Sequence, residues 1–364
     1  MIRTGTVHRV PRPAHGRTGA GRPARPRRHA TAWLAAGVLA VGLAAAACSS
    51  GDSSSPTSGS SSSVSAANLA KVTLHVGDQA GTGAEAVLTA AGLISKLPFK
   101  VVWSDFTSGP PMLQAMSGGS VDIGGVGDAP PVFAAAGGEK IAIVGARTSS
   151  PLAAALVVPK SSPITSLADL KGKKIAVAEG SSANYHILAL LKRAGLSVKD
   201  VTLEYLQPAE ALAAFTSGHV DAWDVWSPYI EEAVTSDHGR ILATGSGLGN
   251  VYSFEVASRA ALADPEKAAA IKDYLKLLNE AYLWTDSHQQ AWAADWAKAT
   301  GLSDSIMAQA TKDDLTTPVP VSAAVVASEQ SISNAFSSAG LIPGHVDFAD
   351  YSDSAFNSAV GGSS

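Results

Sequence analysis

Gly118-Gly-Ser-Val-Asp-Ile-Gly-Gly-Val-Gly-Asp-Ala-Pro-Pro-Val-Phe133 is the stretch on which the fold turns. Val121 and Ile123 alternate with small residues, which predicts a short buried strand. Gly124, Gly125 and Gly127 leave the end of that strand without side chains. Asp128 then stands where an N-cap would, and Pro130 and Pro131 fit the first turn of a helix running through Phe133. A strand that ends in glycines and hands over to a helix start exposes unsatisfied N–H groups. The helix dipole adds to their attraction for an anion.

The stretch has a counterpart. Met112-Leu-Gln-Ala-Met-Ser-Gly-Gly-Ser-Val-Asp122 matches Ala211-Leu-Ala-Ala-Phe-Thr-Ser-Gly-His-Val-Asp221, at an offset of 99. Upstream, Lys71-Val-Thr-Leu-His-Val-Gly77 faces Lys174-Ile-Ala-Val-Ala-Glu-Gly180, and Ala91-Gly-Leu93 faces Ala194-Gly-Leu196, both at 103. One strand–helix–strand–helix–strand unit therefore occurs twice. Two such α/β lobes, joined by two crossings, make a cleft beyond the carboxyl ends of their strands.

With 364 residues, 46% hydrophobic and 16% charged, the chain has room for two domains of ordinary size. The formal charge of −4 conceals an asymmetry. Eight arginines and no acidic residue precede Cys48, leaving 19 basic against 31 acidic residues, a net of −12. An acidic body argues against nucleic acid as the main partner.

The basic start is followed by an apolar run over residues 30–47 and then by Cys48, the sole cysteine. This is the pattern of an export signal. Ala45-Ala-Ala-Cys48 resembles the bacterial lipobox, which implies lipidation of Cys48 and a position on the outer face of the cytoplasmic membrane. Arg27-Arg28 leaves Sec and twin-arginine export both open. The signal peptide is expected over 1–48 and a Ser-rich flexible tether over 49–68. Lobe one is expected over 69–158, with a strand at 153–158, and lobe two over 159–248. The chain is expected to return to lobe one over 249–344, mostly as helices from 265 onward, and to end in a loose tail over 345–364.

Several residues are candidates for the cleft. Ser181 and Ser182 follow Gly180 at a helix start, where each fits either an N-cap or a hydroxyl for a bound anion. Trp223 and Trp226 lie in the loop that matches the glycines of lobe one; each is either core or an apolar wall for a ligand tail. Asp224 fits a salt-bridge partner or a site for a cationic ligand group, and Tyr252 fits core or cleft. No catalytic pattern competes. There is no Walker A, no HxxxH, HExxH or CxxC spacing, and no thiol in the body, so neither metal nor cofactor is expected.

Taken together, Phe106-Thr-Ser-Gly-Pro-Pro111, Gly124-Gly-Val-Gly-Asp-Ala-Pro-Pro131, Gly180-Ser-Ser-Ala183, Leu206-Gln-Pro-Ala209, Val220-Asp-Ala-Trp223 and Pro228-Tyr229 resemble the aliphatic sulfonate/taurine/nitrate substrate-binding proteins of ABC transporters, nearest the sulfonate branch. Two positions depart from that branch: Ser227 stands where Asp usually precedes the Pro-Tyr pair, and Asp78 where an aromatic is common. The resemblance implies a two-lobed α/β periplasmic-binding-protein fold of the second type. It also implies pocket roles for Gln79, Gly127, Asp128, Ser181, Ser182 and Trp223, and less firmly for Trp226. None of these is cationic, so uncharged donors are expected to hold the anion. The implied function is non-enzymatic capture of a small organosulfonate by a monomer that delivers it to a permease with a cytoplasmic ATPase. Taurine, a sulfate ester, nitrate or a thiamine precursor are the alternative cargoes. An enzyme on the same fold, a desulfinase or a pyrimidine synthase, is the rival class.

Overall fold

Eleven strands in two sheets carry the architecture of the described residues, and the computed structural model describes residues 64–79, 83–235, 238–248 and 251–360. The expected signal segment, Cys48 and residues 49–63 of the expected tether lie outside them, as do 361–364. The strands are β1 (Thr73–Gln79), β2 (Lys100–Phe106), β3 (Ile123–Gly127), β4 (Ile141–Ser149), β5 (Ala154–Pro159), β6 (Lys174–Val177), β7 (Thr202–Tyr205), β8 (Ala222–Trp226), β9 (Gly239–Thr244), β10 (Val251–Ser258) and β11 (Thr316–Val319). One sheet has the order β11-β4-β10-β3-β1-β2 and the other β7-β6-β8-β5-β9.

The internal repeat is visible in the pairing. β2-β1-β3 and β7-β6-β8 are parallel triplets, each extended by an antiparallel strand, β10 on β3 and β5 on β8. Val76 and Gly77 pair with Ile123 and Gly124, as Ile175 and Ala176 pair with Ala222 and Trp223. The first strands therefore correspond at an offset of 99, four residues from the match suggested by the Lys71 and Lys174 segments. The two aspartates of the repeat explain why that register holds. Asp122 accepts from the His75 N–H at 3.0 Å while its own N–H donates to the His75 carbonyl. Asp221 does the same to Lys174, at 2.9 Å.

β5 corrects the expected lobe boundary, because this strand belongs to the second sheet. Its apolar residues read equally well in either sheet, and only the pairing with β8 and β9 decides. β9 and β11 were not expected from the sequence. β11 interrupts the helices that follow residue 265 and pairs with β4 at the edge of the first sheet.

Each sheet is covered on both faces. The helices Ala84–Ala90 and Pro265–Ser287 bury Leu88, Ile271, Tyr274 and Leu278 against one face of the first sheet. Gly109–Ser117, Pro130–Ala136 and Ala323–Ala339 cover the other with Met112, Val132 and Phe336. Ser182–Arg193 lays Ile187, Leu190 and Leu191 on the second sheet. Burial on this scale, at about 25 cal/mol per Å² of apolar surface, is the main force holding each lobe together.

The expected loose tail is ordered to Val360. Phe348 is fully buried and Phe356 is buried, and Asn357 bonds both the N–H and the carbonyl of Val321. The end of the expected tether is likewise structured: Ser65 caps the short helix Ala66–Leu69, and Leu69 is buried. Among the described residues no helix is long and apolar enough to cross a membrane.

Candidate functional site: a cleft at the facing strand ends

Parallel strands whose carboxyl ends face one another place their last residues around a common space. That space is a cavity of about 150 Å³. The first sheet contributes Gln79 from the end of β1, Gly127 from β3, Arg147 and Ser149 from β4, and Tyr252 and Ser253 from the start of the antiparallel β10. The second contributes Ala154 from the start of β5, Trp226 from the end of β8, and Ser181, Ser182 and Ser227 from the turns that follow β6 and β8.

The turns after β3 and β6 do face each other. At Gly127 an added Cβ would lie 1.9 Å from Ser182 Oγ and 3.1 Å from Ser182 Cβ, so the lobes touch there and a larger residue would have to displace Ser182. Next to it, Asp128 is buried and accepts a hydrogen bond from the Ser182 hydroxyl. It is not the expected N-cap: Ala129 holds that position before Pro130–Ala136. A second bridge joins the lobes where Gln207 Oε1 accepts from Thr107 Oγ1 and Ser108 Oγ, each at 2.9 Å. The structure is therefore that of a closed cleft.

On the other lip, Gly180 takes φ +69°, which an L side chain adopts only at a cost, and turns the chain into the helix Ser182–Arg193. Ser181 is the N-cap of that helix. Its Oγ accepts from the Asn184 N–H at 3.3 Å and donates to the Ala178 carbonyl at 2.7 Å. Capping and lining the cleft are thus combined in one residue. Gln79 lines the cleft with its Nε2 donating to the Gly125 carbonyl at 3.0 Å.

The tryptophans change places relative to expectation. Trp223 is 1% exposed and packs among Phe215, Val225 and Tyr229, away from the cleft. Trp226 lines the cleft. Strand geometry is the reason: Trp223 sits near the start of β8, beneath its own helix layer, whereas Trp226 is the last residue at the carboxyl end. Asp224 also leaves the candidate list. It points to the opposite face from Trp223, fully buried, with both oxygens 2.9 Å from His186 Nδ1. Asp78 is likewise structural, since its carboxylate accepts from the N–H groups of Gln79, Ala84 and Glu85 and so caps the next helix.

Sequence reasoning missed the cation. Arg147 lines the cleft, donates from Nη1 to Glu255 Oε1 at 2.7 Å, and lies 4.5 Å from the centroid of the Tyr282 ring. The expectation of a site without arginine is corrected. A guanidinium carries five N–H donors, so the bond to Glu255 leaves capacity for a second anion. The available signal was that Arg147 is the only charged residue between Ile141 and Pro159. Burial opposes its charge, but Tyr282, Glu255 and Asp314 outweigh burial and keep it protonated. Asp314, also missed, lines the same cavity. Among the described residues no group of three or more His, Cys, Asp or Glu side chains forms a metal site.

Burial sets the charge state of the groups behind the cleft. It raises Asp128 to about 6, opposed chiefly by the Ser182 hydroxyl, and raises Glu231 to about 7. Burial also raises Asp314, to about 6, against the pull of Arg147. For His186 burial lowers the value, but Asp224 outweighs it and the net shift is upward. All four bind protons more tightly folded than unfolded, so each adds stability below its unfolded pKa and loses it as pH rises through its folded pKa. Lowering pH from 7.5 to 5.5 should therefore stabilise the protein by on the order of 1 kcal/mol per carboxyl group. The melting temperature should rise by several degrees, and less so in Asp128→Asn. A flat or falling melting temperature over that interval would contradict these charge states.

The fold and its cleft define the class as a two-lobed α/β protein of the periplasmic-binding type. The chain belongs to the NMT1/THI5-like family, whose profile matches residues 109–291. It is 36% identical to an aliphatic sulfonates-binding protein of Escherichia coli (strain K12) over 285 residues, 78% of this chain and 89% of that one. Its structure is similar to that of the alkanesulfonate-binding protein SsuA from Xanthomonas axonopodis pv. citri bound to MOPS. The TM-score there is 0.73 at 32% identity, covering 77% of this chain and 98% of that chain. The periplasmic aliphatic sulphonate binding protein SsuA from Escherichia coli matches at TM-score 0.69 and 36% identity, over 77% and 91% of the two chains.

Proposed function

We propose that the chain captures a small organosulfonate outside the cytoplasm and delivers it to an ABC permease driven by a cytoplasmic ATPase. It works as a monomer, tethered through lipidated Cys48 to the outer face of the membrane, and performs no chemistry on its cargo. The observation that carries this reading is the pairing of Arg147 on one lobe with the Ser181–Ser182 helix start on the other, around one small cavity. An anion there meets donors from both lobes, so binding favours the closed state and shifts the open–closed equilibrium. The sulfonate is the headgroup of choice because the relatives of the same fold and substantial identity carry that cargo in their names. Gln79, Gly127, Ser181, Ser182, Trp226 and Tyr252 complete the site, with Trp226 in place of Trp223 as the wall for the tail.

Titration calorimetry with ethane-, butane- and hexanesulfonate, against sulfate, nitrate and taurine, tests the reading. Saturating a sulfonate at a hundredfold its Kd should stabilise the fold by about 2.7 kcal/mol. Trp226→Ala should weaken the best sulfonate about tenfold and cost less stability than loss of Trp223, because its ring is only partly buried against Tyr229 and the second-lobe core. Trp223→Ala should instead cost about 3–5 kcal/mol of stability, as emptied aromatic core sites do. Absence of binding by every sulfonate, or turnover of any of them, would overturn the proposal.

A further inference from the structure

The lobes meet along a seam on the side of the cleft away from the crossings. Gly127 of the first lobe abuts Ser182 of the second. Next along, Phe133 covers Gly180, where an added Cβ would stand 3.1 Å from the ring. Tyr185 then faces Phe336 on the helix Ala323–Ala339, with ring centroids 6.1 Å apart. Asp128 lies in this otherwise apolar seam, 4% exposed, and accepts from the Ser182 hydroxyl. Its Oδ1 is buried without a hydrogen-bond partner.

The groups around Asp128 leave its charge unanswered. The helices Gly109–Ser117 and Pro130–Ala136 carry no charged residue. The helix Ala323–Ala339 brings Glu329, which is 1% exposed with both oxygens unpartnered. Burial, and after it the charge of Asp128, holds Glu329 well above the usual carboxyl range, in its neutral form. The helix Ser182–Arg193 brings Tyr185, raised in the same way, and His186, which Asp224 already answers at 2.9 Å. On the neighbouring strands Arg147 and Glu255 answer each other. Burial therefore prevails at Asp128 and lifts it to about 6, although the Ser182 hydroxyl, the Ala129 N–H and His186 pull the other way. Asp314, in the lining of the cavity, stands elsewhere: the Leu315 carbonyl accepts from the Ser150 N–H at the crossing, where the lobes stay joined.

We propose that the lobes close on a proton as well as on the ligand: Asp128 is ionised while the cleft is open and takes up a proton when Ser182 and its helix cover it, so that binding tightens as the surrounding solution is acidified. The inference rests on the reading that ligand favours the closed state, and adds a second ligand to it. When the lobes part, Ser182 withdraws and water reaches the carboxylate, which returns to the ordinary aspartate value of about 3.9. A neutral carboxyl keeps the Ser182 bond through its carbonyl oxygen and gives up only the buried charge. The closed form thus holds the proton more tightly than the open form, and closure is favoured as pH falls through about 6.

Calorimetry with butanesulfonate, which stays ionised throughout, tests this on the intact protein. Acetate and histidine buffers, neither of them a sulfonate, differ in ionisation enthalpy and so report the protons exchanged. Binding at pH 5.5 should take up about 0.7 proton per ligand and be about fourfold tighter than at pH 8. Asp128→Asn should bind equally at both values with the uptake lost, whereas Asp314→Asn should keep it. Ser182→Ala, which removes a donor that favours the ionised form, should move the onset of uptake to higher pH; this keeps the test available if Asp128→Asn does not fold. Binding without proton uptake, or uptake that follows Asp314 in place of Asp128, overturns the proposal and leaves the sulfonate reading intact. Failure of butanesulfonate to bind at either pH overturns both.

Discussion

Gly127→Ala is expected to abolish high-affinity binding, by a hundredfold or more, without unfolding the protein. The new Cβ would stand 1.9 Å from Ser182 Oγ and 3.1 Å from Ser182 Cβ, across the line where the lobes meet. Gly127 ends β3 and pairs with Ser253, and its backbone lies outside the left-handed region, so alanine fits the strand itself. Removing the glycine also reduces the entropy of the unfolded chain, by up to about 1 kcal/mol. The cost therefore falls on closure alone. A ligand that works by favouring the closed state cannot do so when closure meets a steric overlap. Small-angle scattering of the variant should show an open form even at millimolar ligand. Adding Ser182→Gly, which removes both overlapping atoms, should restore closure. Normal affinity in Gly127→Ala would mean that ligand is bound without the approach of these two turns.

Arg147→Ala should have the largest effect on stability. Glu255 is 3% exposed and its Oε1 depends on Arg147, while its Oε2 is buried without a partner. Removing one member of a buried ion pair leaves the other uncompensated and costs about 3–5 kcal/mol. The guanidinium also packs on Tyr282, so the loss includes a cation–aromatic contact of up to about 2 kcal/mol. Denaturant midpoints should fall accordingly, and sulfonate binding should disappear. The double variant Arg147→Met with Glu255→Met separates the two roles. It should regain most of the stability, because a hydrophobic pair can replace a buried ion pair, and none of the binding. If the double variant bound sulfonate normally, the headgroup would be held by the helix start and serines alone.

These two residues also show how differently the parts of the site could be read. Gly127 was legible because it ends a strand in a glycine-rich run before two prolines, a local pattern with a local cause. Ser181 and Ser182 were legible for the same reason, as a helix start after a glycine. Arg147 and Asp314 carried no such pattern. A lone arginine near a strand end and an aspartate after a helix look the same whether they meet solvent or a cleft. Trp223 and Trp226 were misordered because the segment expected to be a loop is the strand β8, whose register decides core against cleft.

The fold class and the duplicated unit follow from the chain alone, since hydrophobic period, turn residues and repeat spacing are properties of neighbours in sequence. Pairing across the sheets is not such a property. Whether β5 joins the first sheet or the second, which tryptophan reaches the cleft, and which charges stand beside Arg147 depend on partners dozens to hundreds of residues away. Those contacts exist only once both lobes have packed.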